Sequence, residues 1–215
     1  ADMDALSHIA KKYNLFLIED GCDCLGAKWD GRLMGTFGDM SSISFYPAHH
    51  MTMGEGGMVI VNNRLLKKTA LSIRDWGRDC YCGPGENNTC GTRFTQQFGT
   101  LPYGYDHKYV YSHIGYNLKI TDMQAAVGVA QLKKLVDFIL RRKENFKKLY
   151  NGLKPFEDKI ILPHETPNSE PCWFGFPISI KESKGSSRNK ISTFLEEKGI
   201  ETRNLFGGNL LRQPA

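Results

Sequence analysis

Ser44–Gly57 reads SFYPAHHMTMGEGG. A strand of small residues, SSISFY (Ser41–Tyr46), runs into a turn, a histidine pair at 49 and 50, and a glycine-rich hairpin at Glu55–Gly57. The hairpin leads directly into GMVIV (Gly57–Val61), which reads as a second strand. Side chains between two such strands are presented at the end of a sheet, where α/β proteins hold ligands.

Upstream, Asp2 is placed to cap a helix whose apolar positions Met3, Leu6, Ile9 and Tyr13 recur at helical spacing. LFLIE (Leu15–Glu19) then reads as a buried parallel strand ending in Glu19–Asp20. Downstream, RLLKKTALSIRDWG is helical to about Trp76, and from Arg78 to Asn117 the pattern dissolves into a long loop rich in Gly, Tyr, Cys and Asn. A loop of that length is either functional or ordered by something other than a core. Thr121 and Gln124 form a capping-box pair for one long helix, Asp122 to about Tyr150. CWFGFPISI is strand-like, and NKISTFLEEKGI is an amphipathic helix closed by Gly199. This order predicts an α/β domain over 1–150 and the start of a small αβ domain over 151–215.

The chain has 215 residues, 40% hydrophobic and 24% charged, with a net charge of +5. Its one dense basic patch, RRKENFKK (Arg141–Lys148), reads as a solvated helix face, so nucleic-acid binding is not expected. No apolar run is long enough to span a bilayer, and ADMDALSHIAKKYN has no signal-peptide core. A cytoplasmic location is therefore expected, disulfides are not, and both ends read as cut from a longer protein.

Asp20, at the carboxyl end of its strand, can keep a heterocyclic nitrogen protonated, as a pyridoxal-type ring requires; a turn or helix-capping role is the alternative. Ser44 ends the neighbouring strand, where hydroxyl and backbone N–H groups can hold a phosphate. Four of the six cysteines are spaced Cys22-x57-Cys80-x-Cys82-x7-Cys90. Four thiolates satisfy a [2Fe–2S] core or a zinc ion, and the loop reads as needing such a staple. A zinc-stapled binding module without catalysis is thus one alternative. In an extended strand Asp20 and Cys22 point the same way, with Cα atoms within about 7 Å. Cys172 reads as a buried apolar position.

IEDGCDCLGA, GTFGDMSSISFYPAHH, MGEGG and GYNLKITDMQAAVG together resemble the DegT/DnrJ/StrS sugar aminotransferases, of the pyridoxal-phosphate-dependent aspartate aminotransferase (type I) fold. The resemblance covers essentially the whole chain and implies a mixed, mostly parallel sheet flanked by helices. It places His49 where the family carries its cofactor lysine. An imidazole cannot form the Schiff-base tether of pyridoxal phosphate. Pyridoxamine phosphate could still condense with a substrate ketone, with His49 as the base. The cysteine spacing and the 78–117 loop are similar to the iron–sulfur members of the group, the CDP-4-keto-6-deoxy-D-glucose 3-dehydrases. That resemblance implies Cys22, Cys80, Cys82 and Cys90 as ligands of a [2Fe–2S] cluster, and C3 dehydration of a nucleotide-linked 4-keto-6-deoxyhexose. It also implies electrons from an NADH-dependent flavin/iron–sulfur reductase, and a role in 3,6-dideoxyhexose and O-antigen formation. A homodimer is implied, with Asn117 or Lys119 reaching the other subunit's phosphate. The cluster-free GDP-4-keto-6-deoxymannose 3-dehydratases, also with histidine for lysine, are the nearest alternative.

Overall fold

The computed structural model describes residues 1–83, 85–181 and 187–214, so residue 84 of the cysteine loop and residues 182–186 and 215 lie outside it. The Asp2 side chain accepts from the Ala5 N–H at 2.9 Å and starts helix α1 (Met3–Lys12), as its sequence indicates. Strand β1 (Ile18–Asp20) is shorter than expected. The Leu15 N–H returns to the Ala10 carbonyl, and the Leu17 N–H goes to Asp39 Oδ2, so Leu15–Leu17 spend their donors outside a ladder.

After the small strands β2 (Lys28–Trp29) and β3 (Arg32–Leu33), β4 (Met40–Ser44) runs parallel to β1, pairing Ile18 with Met40 and Asp20 with Ser42. Strand β5 (Gly57–Val61) lies antiparallel on the other side of β4, pairing Ser44 with Gly57. The sheet is therefore mixed, in the order β1-β4-β5. Beneath it Ile43, Phe45, Met51 and Met53 form the core cluster, joined by Leu25, Ile60 and Leu135. Three of these four, Phe45, Met51 and Met53, come from the stretch after β4, so the segment that makes the histidine turn also seals it.

The buried Glu19 faces the opposite way from Asp20. Its Oε1 accepts the N–H groups of Phe37 and Gly38 at 2.7 Å each, and its Oε2 accepts that of Gly35 at 2.6 Å. One carboxylate thus satisfies three donors of the turn that delivers the chain to β4.

Helix α2 (Arg64–Arg74), shorter than the sequence suggests, gives way to the 78–117 loop. A backbone crossing closes the loop's base. Trp76 N–H donates to Tyr116 O, Ser112 N–H donates to Gly77 O, and Asp75 bridges Asn117. Gly77 (φ +81°) and Gly115 are required there, since a Cβ on either would run into the other strand's backbone. Inside the loop, buried His107 pairs with Asp79 at 2.6 Å, and Arg93 pairs with Asp106 at 2.6 Å. These polar pins hold the loop's described residues together.

The expected single helix is two: α3 (Asp122–Leu132), with its Thr121/Gln124 capping box, and α4 (Leu135–Leu153). The Lys134 N–H bonds the Gln131 carbonyl, a tighter turn that re-aims α4. Leu135 then reaches the core cluster, and Ile139 fills the space over Gly26. Beyond α4, β6 (Ile160–Ile161) pairs with β8 (Ser179–Ile180), while β7 (Ser169–Glu170) returns to pair antiparallel with β2. Only the end of CWFGFPISI is strand, because the Cys172–Phe174 carbonyls are taken by side chains instead. Helix α5 (Arg188–Glu197) ends before Gly199 at φ +76°.

Replacing Glu19 by Ala leaves three N–H groups, two buried and one part-buried, without an acceptor and should cost about 3 kcal/mol. Glu19→Gln, which keeps one acceptor oxygen, should cost less; urea unfolding of the two variants measures the difference.

Candidate active site

Asp20 stands exposed at the carboxyl end of β1, as the sequence indicates. Its Oδ1 accepts from Ser42 Oγ at 3.1 Å and from the Cys22 N–H at 3.3 Å. Hydrogen bonds from Cys22, side chain and then backbone, and from Ser42 hold its carboxyl below the usual range, so it is an anion at neutral pH. Ser44, half-buried on the adjacent parallel strand, turns its hydroxyl oxygen to the Tyr46 N–H at 3.2 Å.

His49 follows in the turn, and its Nε2 lies 3.1 Å from Asp23 Oδ1. The pair is at ion-pair distance without hydrogen-bond geometry: Asp23 Oδ1 and His49 Nδ1 are both buried with no hydrogen-bond partner among the described residues. The ring is flanked edge-on by Tyr46, with centroids 5.5 Å apart, and by Phe174, at 5.2 Å. A carboxylate at the end of β1, a hydroxyl at the end of β4 and an imidazole in the turn that follows are the group types that pyridoxamine phosphate needs: an anion for its ring nitrogen, a hydroxyl for its phosphate and no lysine. Asp23 and Phe174 were not legible from the sequence; nothing in their local spacing ties them to His49.

The thiols divide. Burial, and then the hydrogen bond to Asp20, push Cys22 up to about 11. Burial likewise raises Cys80. Hydrogen bonds from Thr89 lower Cys82, and hydrogen bonds from Thr92 and then His107 bring Cys90 down to about 7. Cys90 Sγ lies 3.7 Å from His107 Nδ1. Burial works against charging His107, but its contacts with Cys90 and Asp79 outweigh that and raise its pKa. Cys80, Cys82 and Cys90 interact within one loop, whereas Cys22 interacts with Asp20 and Asp23. Among the described residues no three His, Cys, Asp or Glu side chains stand where one metal ion could bind them. The four thiols therefore do not form a ligand cage in this conformation. Cys172 is 2% exposed and belongs to the packing.

Asn117 and Lys119 lie at the loop base. Asn117 bridges Asp75 through its backbone, and Lys119 Nζ is 3.0 Å from Asp75 Oδ1. Among the described residues neither forms a hydrogen bond or ion pair with Asp20, Ser44 or His49. A cleft of about 550 Å³, between α4 and residues 163–173, is walled by Phe146, Tyr150 and Trp173 and includes none of the site residues.

The family model for the DegT/DnrJ/EryC1/StrS aminotransferase family matches residues 1–215. The chain belongs to that family. Within it, the chain is 57% identical over 213 residues to the lipopolysaccharide biosynthesis protein RfbH of Salmonella typhimurium, covering 99% of this chain and 49% of that protein. It is 51% identical over 212 residues to the dTDP-4-dehydro-2,6-dideoxy-D-glucose 3-dehydratase of Saccharopolyspora spinosa, covering 99% of this chain and 46% of that protein. The solved structure of the Escherichia coli GDP-4-keto-6-deoxy-D-mannose-3-dehydratase with bound hydrated PLP superposes with a TM-score of 0.81 at 27% identity. It covers 99% of this chain and 52% of that one. The chain spans about half the length of these relatives. The fold is that of the family's pyridoxal-phosphate-dependent aminotransferases, as the mixed sheet and its flanking helices indicated. No helix among the described residues is long and apolar enough to cross a membrane.

Because only the thiolate reacts with alkylating reagents, the metal-free chain should be modified by iodoacetamide at neutral pH first at Cys90 and Cys82. Cys22, Cys24 and Cys172 should be protected until alkaline pH, and peptide mass mapping over time reads the order.

Proposed function

We propose that the protein to which this chain belongs catalyses C3 dehydration of a nucleotide-linked 4-keto-6-deoxyhexose. CDP-4-keto-6-deoxy-D-glucose is the assigned substrate, and the product leads to 3,6-dideoxy sugars of the lipopolysaccharide O-antigen. The observation that carries this reading is His49: an imidazole held by Asp23, where sugar aminotransferases have a lysine, beside the anionic Asp20. The names of the Salmonella and Saccharopolyspora relatives support the pathway and the reaction class.

Bound pyridoxamine phosphate supplies a primary amine to condense with the sugar ketone and a ring that accepts electrons. Asp20 would keep the ring nitrogen protonated, and Ser44 with the backbone at the end of β4 would hold the phosphate. His49 would serve as the base at the cofactor's C4′ carbon and as the acid that protonates the departing C3 hydroxyl, released as water. Asp23, 3.1 Å from Nε2, would orient the imidazole. A [2Fe–2S] cluster on Cys22, Cys80, Cys82 and Cys90, with an NADH-dependent flavin/iron–sulfur reductase as electron donor, is assigned by resemblance to the iron–sulfur dehydrases; the four thiols do not form that ligand set among the described residues. A homodimer, in which Asn117 or Lys119 meets the other subunit's phosphate, is supported by the exposed Ile114, Leu118 and Met123. The location assigned is the cytoplasm.

A second reading, cluster-free dehydration of a GDP-linked sugar, draws on the unassembled thiols and on the likeness to the Escherichia coli enzyme. Iron and labile-sulfide analysis of the full protein separates the two; zinc at one equivalent would instead support the binding module. In the full protein, His49→Asn should reduce dehydration by roughly 100-fold or more while pyridoxamine phosphate absorbance is retained. Undiminished dehydration in that variant removes His49 from the role of base.

A further inference from the structure

The second histidine of the pair is unused by the chemistry above, yet it is the more buried of the two, 2% exposed. Its Nε2 lies 2.6 Å from the carbonyl oxygen of Cys172. A carbonyl only accepts, so Nε2 carries the proton and Nδ1 the lone pair. Burial pushes the His50 pKa down, which keeps the ring in this neutral, single-donor form.

The next two carbonyls are also held. Arg142 Nη1, from α4, donates to Trp173 O at 3.3 Å and to Phe174 O at 3.0 Å. Three consecutive carbonyls are thus fixed by two side chains, one from the catalytic turn and one from α4, in a stretch that joins no ladder. What that stretch presents is Phe174, whose ring meets His49 at 86° with centroids 5.2 Å apart. Tyr46 on another side and Asp23 at Nε2 complete the restraint of the imidazole.

We propose that His50 is a positioning residue for His49: its Nε2–H, donated to the Cys172 carbonyl, keeps Phe174 against the base and fixes the imidazole's orientation. Residues 172–174 are thereby coupled to the reacting centre. The inference rests on the reading of His49 as base.

The test uses the full protein loaded with pyridoxamine phosphate and the variants His50→Leu, which removes the donor, and His50→Gln, whose amide N–H can replace Nε2–H. His50→Leu should lower kcat for dehydration about tenfold or more, with KM within about twofold. His50→Gln should restore kcat to within about threefold of the parent. Crystal structures should show the Phe174 ring displaced from His49 in the Leu variant and in place in the Gln variant. That readout stands even if the parent proves to catalyse something other than dehydration. Phe174→Leu, which leaves the tether intact, should show the same loss in kcat and covers the case in which His50→Leu does not fold. A Gln variant as impaired as Leu, an undisplaced Phe174 ring in His50→Leu, or parental kcat in Phe174→Leu each overturns the proposal.

Discussion

Three N–H groups of the Gly35–Gly38 turn point at one carboxylate, and the rest of the site inherits its geometry from that contact. A carboxylate taken out of water is tolerated only when its oxygens are met by donors, and a tight turn has donors that the sheet cannot use. Glu19 and the turn solve each other's problem. The consequence is local and exact in direction: β1 and β4 are held parallel in one register, with Asp20 opposite Ser42 and Ser44 two residues further along. Because side chains alternate along a strand, the residue that organises the fold and the residue offered to a ligand are neighbours in sequence. Glu19 faces the turn; Asp20 faces out.

Features fixed by nearby residues were legible before any coordinates. Asp2 and the Thr121/Gln124 pair announce helix starts, GMVIV is a strand at its predicted bounds, and Gly199 follows the last long helix. Asp20, Ser44 and His49 stand out in the sequence because their motifs lie in an order that a known family shares. What escaped depends on contacts distant in the chain. Asp23 on His49, Phe174 against the same ring and the Cys172 carbonyl on His50 carry no local signature. The break at Lys133–Lys134 escaped for a related reason. The helical pattern continues through it, and only the demands of the core and of Gly26 turn α4 aside.

The cysteine loop shows how a segment poor in apolar periodicity can still be ordered. Asp79 with His107 and Arg93 with Asp106 replace a hydrophobic centre, and the Arg93 guanidinium holds the Asp106 carboxyl at about 2. Phe98 stacked on His107 adds an apolar cover. The same network shapes the thiols, since His107 contacts Cys90 and Asp79 precedes Cys80 in the chain. Ordering and sulfur chemistry therefore share residues, and neither can be altered there without the other.

Where Gly77 and Gly115 cross, two backbones pass with no room for a side chain between them. The segment between them lies outside the β1-β4-β5 ladder and is tied to α2 beside the pinch, by Ser72 to His113 and Lys68 to Asp79. A change of length or sequence between the two glycines is thereby separated from the strand register that sets Asp20 opposite Ser42.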